Sequence, residues 1–179
     1  MAILPIRKVP DPVLRQKARP VQRVTRRHRR LIEDMKETMY DAPGVGLAAN
    51  QVGVLERVIV VDPGDRFMAL INPEILEAEG KSVDVEGCLS IPGITGYVER
   101  AQTVRVRALD ERGHPVEFQA EGYLARIIQH EVDHLDGVLF TDRATSLVQE
   151  QEQEQEQQRS EAAVSAPRPD GAASGRAVP

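Results

Sequence analysis

Two histidines four residues apart, with a glutamate directly after the first, stand in the stretch QHEVDHLDGVLF. On a helix, this spacing places His130 and His134 on one face, because side chains at positions i and i+4 lie one above the other. Such a pair can hold a metal ion while Glu131 serves as a base beside it. Isolated histidines are more often core or surface residues. Here the intervening glutamate and the apolar neighbours favour metal binding, since two buried imidazoles would otherwise each need a separate polar partner.

A third metal ligand must come from elsewhere in the chain. In peptidases that read H-E-x-x-H-x-x-G-x-x-H, it falls where this sequence has Phe140, whose ring cannot bind a metal. The candidates are His28, His114, a carboxylate and Cys88. The cysteine is the best placed, because it lies in VEGCLSIPG, where glycine and proline favour irregular backbone that can approach a ligand closely. A lone cysteine is more often a small buried hydrophobe. A thiolate and two imidazoles would nevertheless leave a fourth position open, as in catalytic zinc sites.

The ligand pair needs a rigid helix, and apolar spacing predicts two helices in the chain. TRRHRRLIEDMKETMYDAPG has apolar residues at helical intervals behind a cap at Thr25 and ends before Pro43. YLARIIQHEVDHLDG carries an apolar stripe through Ile127 and Ile128 and ends at Gly137. The two histidines therefore belong to a helix with a buried face.

Four β-branched segments bounded by turn residues predict strands: RVIVVD, FMALINPEILEAEG, TVRVRALD and PVEFQAEG. The stretch LDERGHP predicts a hairpin between the last two. Helices and strands are interspersed without regular alternation, so we predict an α+β fold. In it, antiparallel or mixed sheets pack around the central helix that carries the histidines, with one helix towards the N terminus and another at the C terminus.

The composition is that of an ordinary globular chain. It has 179 residues, of which 41% are hydrophobic and 28% charged, enough for one domain with a largely aliphatic core. No stretch approaches the ~20 apolar residues of a membrane span, and the N terminus lacks the pattern of a signal peptide. We therefore expect a cytoplasmic protein without membrane association. The single cysteine cannot form an internal disulfide, which agrees with a reducing compartment.

The chain divides at about residue 146. We expect a catalytic domain over residues 1–146 and an extension over residues 147–179. The Gln/Glu alternation from Gln149 to Gln158 can continue a C-terminal helix but offers no apolar face, and the Ala/Pro/Ser/Gly-rich end predicts disorder. The extension has six acidic residues and three arginines, so it supplies −3 of the formal charge of −5 and leaves about −2 for the domain.

Two other motifs invite a binding function and are weak on their own. The run RRHRR, from Arg26 to Arg30, predicts a solvated helix start and no stable nucleic-acid binding, because the domain is nearly neutral overall. GVGLAANQVG contains a G-x-G sequence that also occurs in nucleotide-binding loops. It follows a predicted helix and lacks both the third spaced glycine and a Gly-Lys-Ser/Thr ending, which excludes a dinucleotide-binding or phosphate-binding loop.

Three stretches together resemble the ordered motifs of peptide deformylases: GVGLAANQVG, EGCLS and QHEVDHLDG. The early PDPVLRQKARPV is also similar to that family, and the resemblance covers residues 1 to about 146. It implies that Cys88, His130 and His134 are the metal ligands and that Glu131 is the general acid and base. It further implies that Gln51 and the backbone N–H of Leu89 polarise the substrate carbonyl.

The same resemblance implies where the substrate lies. The peptide backbone would run along a wall formed by Gly44, Val45 and Gly46, and the methionine pocket would include Gly44, Ile91 and Ile127. An equally good interpretation of Gly44, Ile91 and Ile127 is that they pack in the core of the domain.

Two polar positions bear on that cleft. Thr95 stands where this family often has arginine, which leaves the preference for downstream residues open. Arg100 would then either pair with Asp133 and fix the rotation of the metal-bearing helix, or stay solvated.

The implied reaction is metal-dependent hydrolysis of the N-terminal formyl group of formyl-methionine on newly made polypeptides, with release of formate. The resemblance favours one ferrous ion, with zinc, nickel or cobalt able to replace it. It implies nascent peptides as partners, transient ribosome contact and a monomer. Two alternatives stay open at this point: an H-E-x-x-H metallopeptidase with a glutamate ligand from the tail, and a metal-stabilised interaction protein without catalysis.

Overall fold

The computed structural model of the protein describes residues 2–165. Its helices are α1 (Arg26–Asp41), α2 (Gly122–Leu135), α3 (Phe140–Arg143) and α4 (Glu150–Ser165). Its strands are β1 (Gly46–Ala48), β2 (Val58–Val61), β3 (Met68–Glu79), β4 (Ser82–Cys88), β5 (Ile91–Arg100), β6 (Thr103–Leu109), β7 (Pro115–Glu121) and β8 (Ser146–Gln149). Within these residues, no helix combines the length and the apolar character needed to cross a membrane.

The strands form two antiparallel sheets, which confirms the predicted α+β class. The larger sheet has five strands in the order β1-β2-β3-β6-β7, and the smaller has three in the order β4-β5-β8. All four predicted strand segments lie in the larger sheet, and the predicted hairpin joins β6 to β7. Antiparallel neighbours can be joined by short turns, so most of each sheet is built from segments adjacent in the chain.

Strand β2 shows why a helix lies on each face of the larger sheet. All four of its residues are fully buried, and successive side chains of a strand point to opposite faces. Val58 and Val60 pack in the cluster that contains the apolar residues of α1. Ile59 and Val61 pack in the cluster that contains those of α2. Burying each such side chain contributes about 1.5–3 kcal/mol, so α2 sits on a well-packed support.

The predicted helix boundaries agree with the structure. Helix α1 begins after Thr25, whose backbone N–H donates to Nδ1 of His28 at 3.0 Å, and it ends before Pro43. Helix α2 ends two residues before Gly137, which adopts a left-handed φ of 75°. A side chain at this glycine would also meet the backbone carbonyl oxygen of Arg15 at 2.6 Å, so the end of the ligand-bearing helix requires glycine there.

The smaller sheet was not predicted, and the expectation of irregular backbone around Cys88 is wrong for most of that stretch. Gly87 and Cys88 end β4, Pro92 lies in β5, and only Leu89 and Ser90 form the turn between them. A register shift between Gly87 and Cys88 interrupts the pairing at the end of β4. Gly87 pairs with Thr95 and Cys88 pairs with Ile91, so the unpaired residues of this bulge are residues 92–94 of β5.

Strand β8 continues the folded body past residue 146. Leu147 pairs with Gly96 and Gln149 pairs with Ile94, so β8 forms the edge of the smaller sheet. The described side chains of α4, residues 155–165, are all exposed, so this part of the helix has no face packed on the body. The predicted disordered end, residues 166–179, lies outside the described residues.

Candidate metal centre and active site

The three predicted metal ligands lie together. One ligand atom from each of Cys88, His130 and His134 falls in a group whose members are all within 4.8 Å of one another. Cys88 Sγ and His134 Nε2 are 3.2 Å apart. Tetrahedral metal sites with ligand bonds of about 2.0–2.3 Å separate their ligand atoms by roughly 3.5 Å, so this set fits a metal ion with little movement.

The other candidates for a third ligand are placed elsewhere. His28 is buried in the start of α1, where its Nε2 lies 2.7 Å from Glu56, and His114 is exposed in the hairpin between β6 and β7. Phe140 is buried, and its ring stacks on His130 with centroids 6.1 Å apart and planes at 23°. The position that bears a ligand in the peptidase pattern is therefore occupied by a ring that packs against His130, and Cys88 is the candidate that lies beside the two histidines.

His130 is oriented by a carboxylate that the sequence reading had not assigned. Glu86 lies in β4, and its Oε1 accepts a hydrogen bond from His130 Nδ1 at 2.8 Å. This bond leaves Nε2 of the ring to face a metal. Arg100 donates to both oxygens of Glu86 at 2.9 Å, and Arg126 donates to Oε2 at 2.7 Å. The only sequence signal for this role is that Glu86 opens the EGCLS motif.

Burial and these partners set the protonation of Glu86 and His130. Burial raises the pKa of Glu86, but hydrogen bonds from Arg100 and His130 outweigh it and lower that pKa to about 2. Burial lowers the pKa of His130, but its contacts with Cys88 and Glu86 outweigh it and raise that pKa to about 10. A cation at Nε2 therefore competes with a proton, and metal binding weakens as the pH falls.

His134 lies deeper than His130 and stays neutral. It is fully buried, and burial together with the charge of His130 holds its pKa well below the usual value. The side chain of Asn50 donates a hydrogen bond to the His134 backbone oxygen, which ties α2 to the turn over Ala49–Val52. A neutral imidazole is the form that binds a metal.

Glu131 has the protonation behaviour of a general base near neutral pH. Its side chain is buried, and burial raises its pKa to about 7 against the opposing charge of His130. Its Oε1 lies 3.7 Å from His130 Nε2, and its Oε2 has no hydrogen-bond partner within residues 2–165. A buried oxygen without a partner is costly unless a ligand, water or proton meets it.

The side-chain amide of Gln51 has a defined orientation. Its Oε1 accepts a hydrogen bond from the Ala48 backbone N–H at 2.9 Å. Its Nε2 must then point the other way, and it lies 3.0 Å from Ser90 Oγ and 3.6 Å from Cys88 Sγ. The donor end of the amide is thus held beside the thiol and faces the site.

Gly44 and Gly46 of GVGLAANQVG allow close contacts of the backbone, and these contacts are with other side chains of the protein. A methyl group on Gly44 would lie 2.8 Å from Leu89 Cδ1. A methyl group on Gly46 would lie 2.9 Å from Ile127 Cγ2 and 3.0 Å from Glu131 Oε1. Absence of a side chain at Gly46 therefore lets β1 pass directly over the Glu131 carboxylate.

A cleft of about 740 Å³ opens over these residues. The predicted wall and pocket residues all line it, namely Gly44, Val45, Gly46, Ile91 and Ile127, as do Gln51, Cys88, Leu89, His130 and Glu131. The N-terminal segment also contributes Ile3, Leu4 and Ile6, which sequence reasoning missed because they belong to no periodic element. The wall thus shares one cavity with Cys88 and His130.

The predicted partner of Arg100 is confirmed. Its NH1 lies 2.5 Å from Asp133 Oδ2, and the guanidinium is buried between Asp133 and Glu86. Arg143 binds the same aspartate from α3 at 2.6 Å. Thr95 pairs with Gly87 in the hairpin of β4 and β5. The arginine network fixes the rotation of α2 and joins the smaller sheet and α3 to it.

A half-buried cysteine and two buried imidazoles beside a carboxylate of raised pKa, at the base of a peptide-sized cleft, define a metal-dependent hydrolase site. The peptidase alternative loses support, because the potential ligand atom that lies beside the two histidines is a cysteine sulfur and the described glutamates of α4, Glu156 and Glu161, are exposed.

Comparison with known proteins identifies the family. The polypeptide deformylase family model matches residues 3–150. A peptide deformylase of Symbiobacterium thermophilum is 54% identical over 178 residues, which cover 98% of this chain and 82% of that one. One from Halothermothrix orenii is 55% identical over 152 residues, covering 84% and 99%. The crystal structure of the Thermotoga maritima peptide deformylase superposes with a TM-score of 0.80 at 47% identity, covering 82% of this chain and all of that one. The chain belongs to the peptide deformylase family.

Proposed function

We propose that this protein hydrolyses the N-terminal formyl group of formyl-methionine on newly synthesised polypeptides and releases formate. The observation that carries the proposal is the meeting of Cys88, His130 and His134 beside Glu131 at the base of the cleft. The reaction needs a water that is easily deprotonated, a base to take its proton, and donors for the carbonyl oxygen. Each of these has a place in the site.

Cys88, His130 and His134 would hold one divalent cation, which when bound supplies Lewis acidity towards the formyl oxygen and a water of lowered pKa. A soft thiolate with two borderline imidazoles suits ferrous iron or zinc. We propose Fe²⁺ as the native metal, with Zn²⁺, Ni²⁺ or Co²⁺ able to replace it.

Glu131 would move the proton. Its pKa of about 7 allows it to accept a proton from the attacking water and to give it up again at neutral pH. Attack on the formyl carbon places negative charge on the formyl oxygen. The amine leaves when Glu131 returns the proton to its nitrogen, which yields formate and a free amino terminus.

Gln51 and the backbone N–H of Leu89 would stabilise the charge on the formyl oxygen. The Gln51 amide is already turned with its donor end towards Cys88, so it needs no reorientation during the reaction. A preorganised donor of this kind contributes about 100- to 1,000-fold in rate.

Substrate position follows from the cleft walls. The peptide backbone would lie along Gly44, Val45 and Gly46, and the methionine side chain would enter between Ile91 and Ile127. The close packing of Gly46 on Glu131 leaves little space beside the carboxylate, which would favour a formyl hydrogen over a methyl group.

The direct test is formate release from formyl-Met-Ala, with acetyl-Met-Ala as the matched control. We expect hydrolysis of the formyl peptide and almost none of the acetyl peptide. No formate from the iron-loaded protein would refute the proposal and support a metal-stabilised interaction protein. Equal turnover of both peptides would indicate a broader amidohydrolase.

The metal identity has a separate test. A thiolate ligand beside ferrous iron is sensitive to oxidation, so activity of the iron-loaded enzyme should decay in air faster than that of the nickel- or zinc-loaded enzyme. Equal air stability of all three would contradict ligation of iron by Cys88.

The remaining properties follow from this substrate. We propose that the enzyme works as a monomer in the cytoplasm, where formylated chains are made, and contacts the ribosome only transiently. We also propose that the catalytic unit ends with β8 and that the Gln/Glu-rich extension is dispensable for the reaction. The exposed side chains of residues 155–165 support its independence from the cleft.

A further inference from the structure

Positive charge is concentrated in one segment of the chain. Eight of the 23 lysines and arginines lie between Arg15 and Arg30, and this segment contains no acidic residue. The run from Arg26 to Arg30 alone predicts a solvated helix start. The structure brings Arg19 close to the start of α1, because its backbone forms a β-bridge with Glu56 and the Glu56 carboxylate binds Arg27 at 2.6 Å.

Most of this charge is uncompensated. Six exposed cations of the segment have no carboxylate within 4.0 Å among residues 2–165: Lys17, Arg19, Arg23, Arg26, Arg29 and Arg30. Two acidic residues lie one helical turn beyond the last arginines. Asp34 accepts a hydrogen bond from the Ala2 backbone N–H instead, and Glu33 forms no ion pair within the same described region. These six cations therefore form no ion pair with another part of residues 2–165. Their charge is available to an anionic partner.

We propose that these six residues, the basic face, bind the phosphate backbone of RNA. Five of the six are arginines, whose planar guanidinium matches phosphate oxygens with two parallel hydrogen bonds. Arg26 and Arg30 lie one turn apart on α1, and the positive end of the helix dipole adds to their charge. Arginine with a helix N-terminus is a common means of contacting nucleic-acid backbone.

An anionic membrane is the less suitable partner. Stable binding of a basic surface to a bilayer also needs apolar side chains that enter it. The exposed large apolar side chains within residues 2–165 all lie outside residues 15–30. The basic face therefore offers charge without an inserting group.

The basic face lies at the opposite end of α1 from the cleft. Thr38 and Asp41 line the cleft, and the 12 residues from Arg26 to Thr38 span about 18 Å of helix. RNA bound at the start of α1 would leave the cleft open. The idea that bound RNA would present the open cleft to a nascent chain rests on the proposed function. The RNA contact itself does not depend on that function.

The test is fluorescence anisotropy with a short labelled RNA duplex at ~50 and ~200 mM salt. One variant reverses three charges of the basic face: Arg26→Glu, Arg29→Glu and Arg30→Glu. The matched control reverses three exposed cations elsewhere, with the same change in net charge: Arg66→Glu, Lys81→Glu and Arg159→Glu. Acidic residues in the first turn favour a helix, so the first variant should retain its fold, which circular dichroism would check.

We expect the first variant to bind RNA roughly 1,000-fold more weakly at the lower salt concentration and the control to bind like wild type. The slope of log affinity against log salt should also fall by about three, one for each lost phosphate contact. Equal loss in both variants, or no loss in the first, would overturn the proposal. Loss of binding only to vesicles of anionic lipid, with RNA binding unchanged, would overturn it in favour of a membrane.

Formate release is measured on the same preparations. All three proteins should deformylate formyl-Met-Ala at the wild-type rate, since neither set of residues lines the cleft. Failure of wild type to release formate refutes the proposed function and leaves the RNA result standing. If wild type releases formate normally but does not bind RNA, only the proposed RNA contact of the basic face is refuted.

Discussion

Replacing Gly46 by alanine should impair catalysis through Glu131 without removing any functional group. The new methyl group would lie 2.9 Å from Ile127 Cγ2 and 3.0 Å from Glu131 Cγ and Oε1. Ordinary van der Waals contact begins near 3.4 Å, so those atoms or β1 must move by about 0.4–0.5 Å. Gly46 does not have a left-handed backbone, so alanine meets no conformational barrier and the effect is steric.

The size of the loss follows from that displacement. A misplacement of about 1 Å at a catalytic group costs roughly 100-fold in rate, so half that distance should cost about 10-fold in kcat. Overpacking of this kind destabilises a fold by about 1–3 kcal/mol, which a domain of this size survives. The assay is formate release with kcat and KM determined separately, alongside metal content and a denaturant unfolding curve.

Gly87→Ala provides the matched control. Gly87 also lines the cleft, yet a methyl group there would meet nothing closer than Thr95 Cγ2 at 3.6 Å. It should retain nearly full activity. The reasoning would be refuted if Gly46→Ala kept wild-type kcat, or if it lost activity only through loss of metal.

Three further predictions test the surrounding groups. Glu131→Gln should keep its metal and lose roughly 1,000-fold or more in formate release, whereas Cys88→Ala should lose most of its metal. Loss of metal from Glu131→Gln with full metal content in Cys88→Ala would contradict both assigned roles. Glu86→Gln should lower the unfolding free energy by about 3 kcal/mol at pH 7, because buried Arg126 loses its carboxylate partner and buried Arg100 keeps only Asp133. The lowered pKa of Glu86 stabilises the fold above the unfolded value, so this difference should shrink as the pH falls from about 5 towards 2; a pH-independent difference would contradict the assignment. Truncation after Glu150 should leave metal content and turnover unchanged, whereas truncation after Thr145 removes β8 and should destabilise the smaller sheet; equal effects would place the boundary elsewhere.

Local patterns predicted the elements with regular periodicity. The segment RVIVVD became the fully buried β2, and the helices followed their apolar stripes to within a few residues of each end. Strands β4 and β5 escaped prediction because Gly87, Pro92 and Gly96 are residues that usually interrupt strands. They are accommodated here by a bulge and by close contact with β8, where a methyl group on Gly96 would lie 2.7 Å from the Ser146 backbone oxygen. Such contacts join distant parts of the chain and leave no local signal.

The candidate site shows the same difference between residues that a local pattern predicts and residues that only long-range contacts bring together. The histidine pair and Glu131 are readable because one turn of helix brings them together. The choice of Cys88 among several candidates required family resemblance, since no spacing connects β4 to α2. Glu86 could not be assigned from sequence, because its partners Arg100, Arg126 and His130 come from β5 and from two turns of α2.

The placement of the ligands on two layers has a mechanical consequence. Cys88 ends a strand of the smaller sheet, whereas both histidines belong to the helix that packs on the larger sheet. A metal held by Cys88 and both histidines would connect the smaller sheet to the helix on the larger sheet. The cleft lies where these two layers meet. Binding energy and layer docking are then linked reciprocally, as for any two coupled equilibria. Whatever loosens the smaller sheet, even at its far edge in β8, should weaken the hold on the metal, and chelation should loosen the sheet in return.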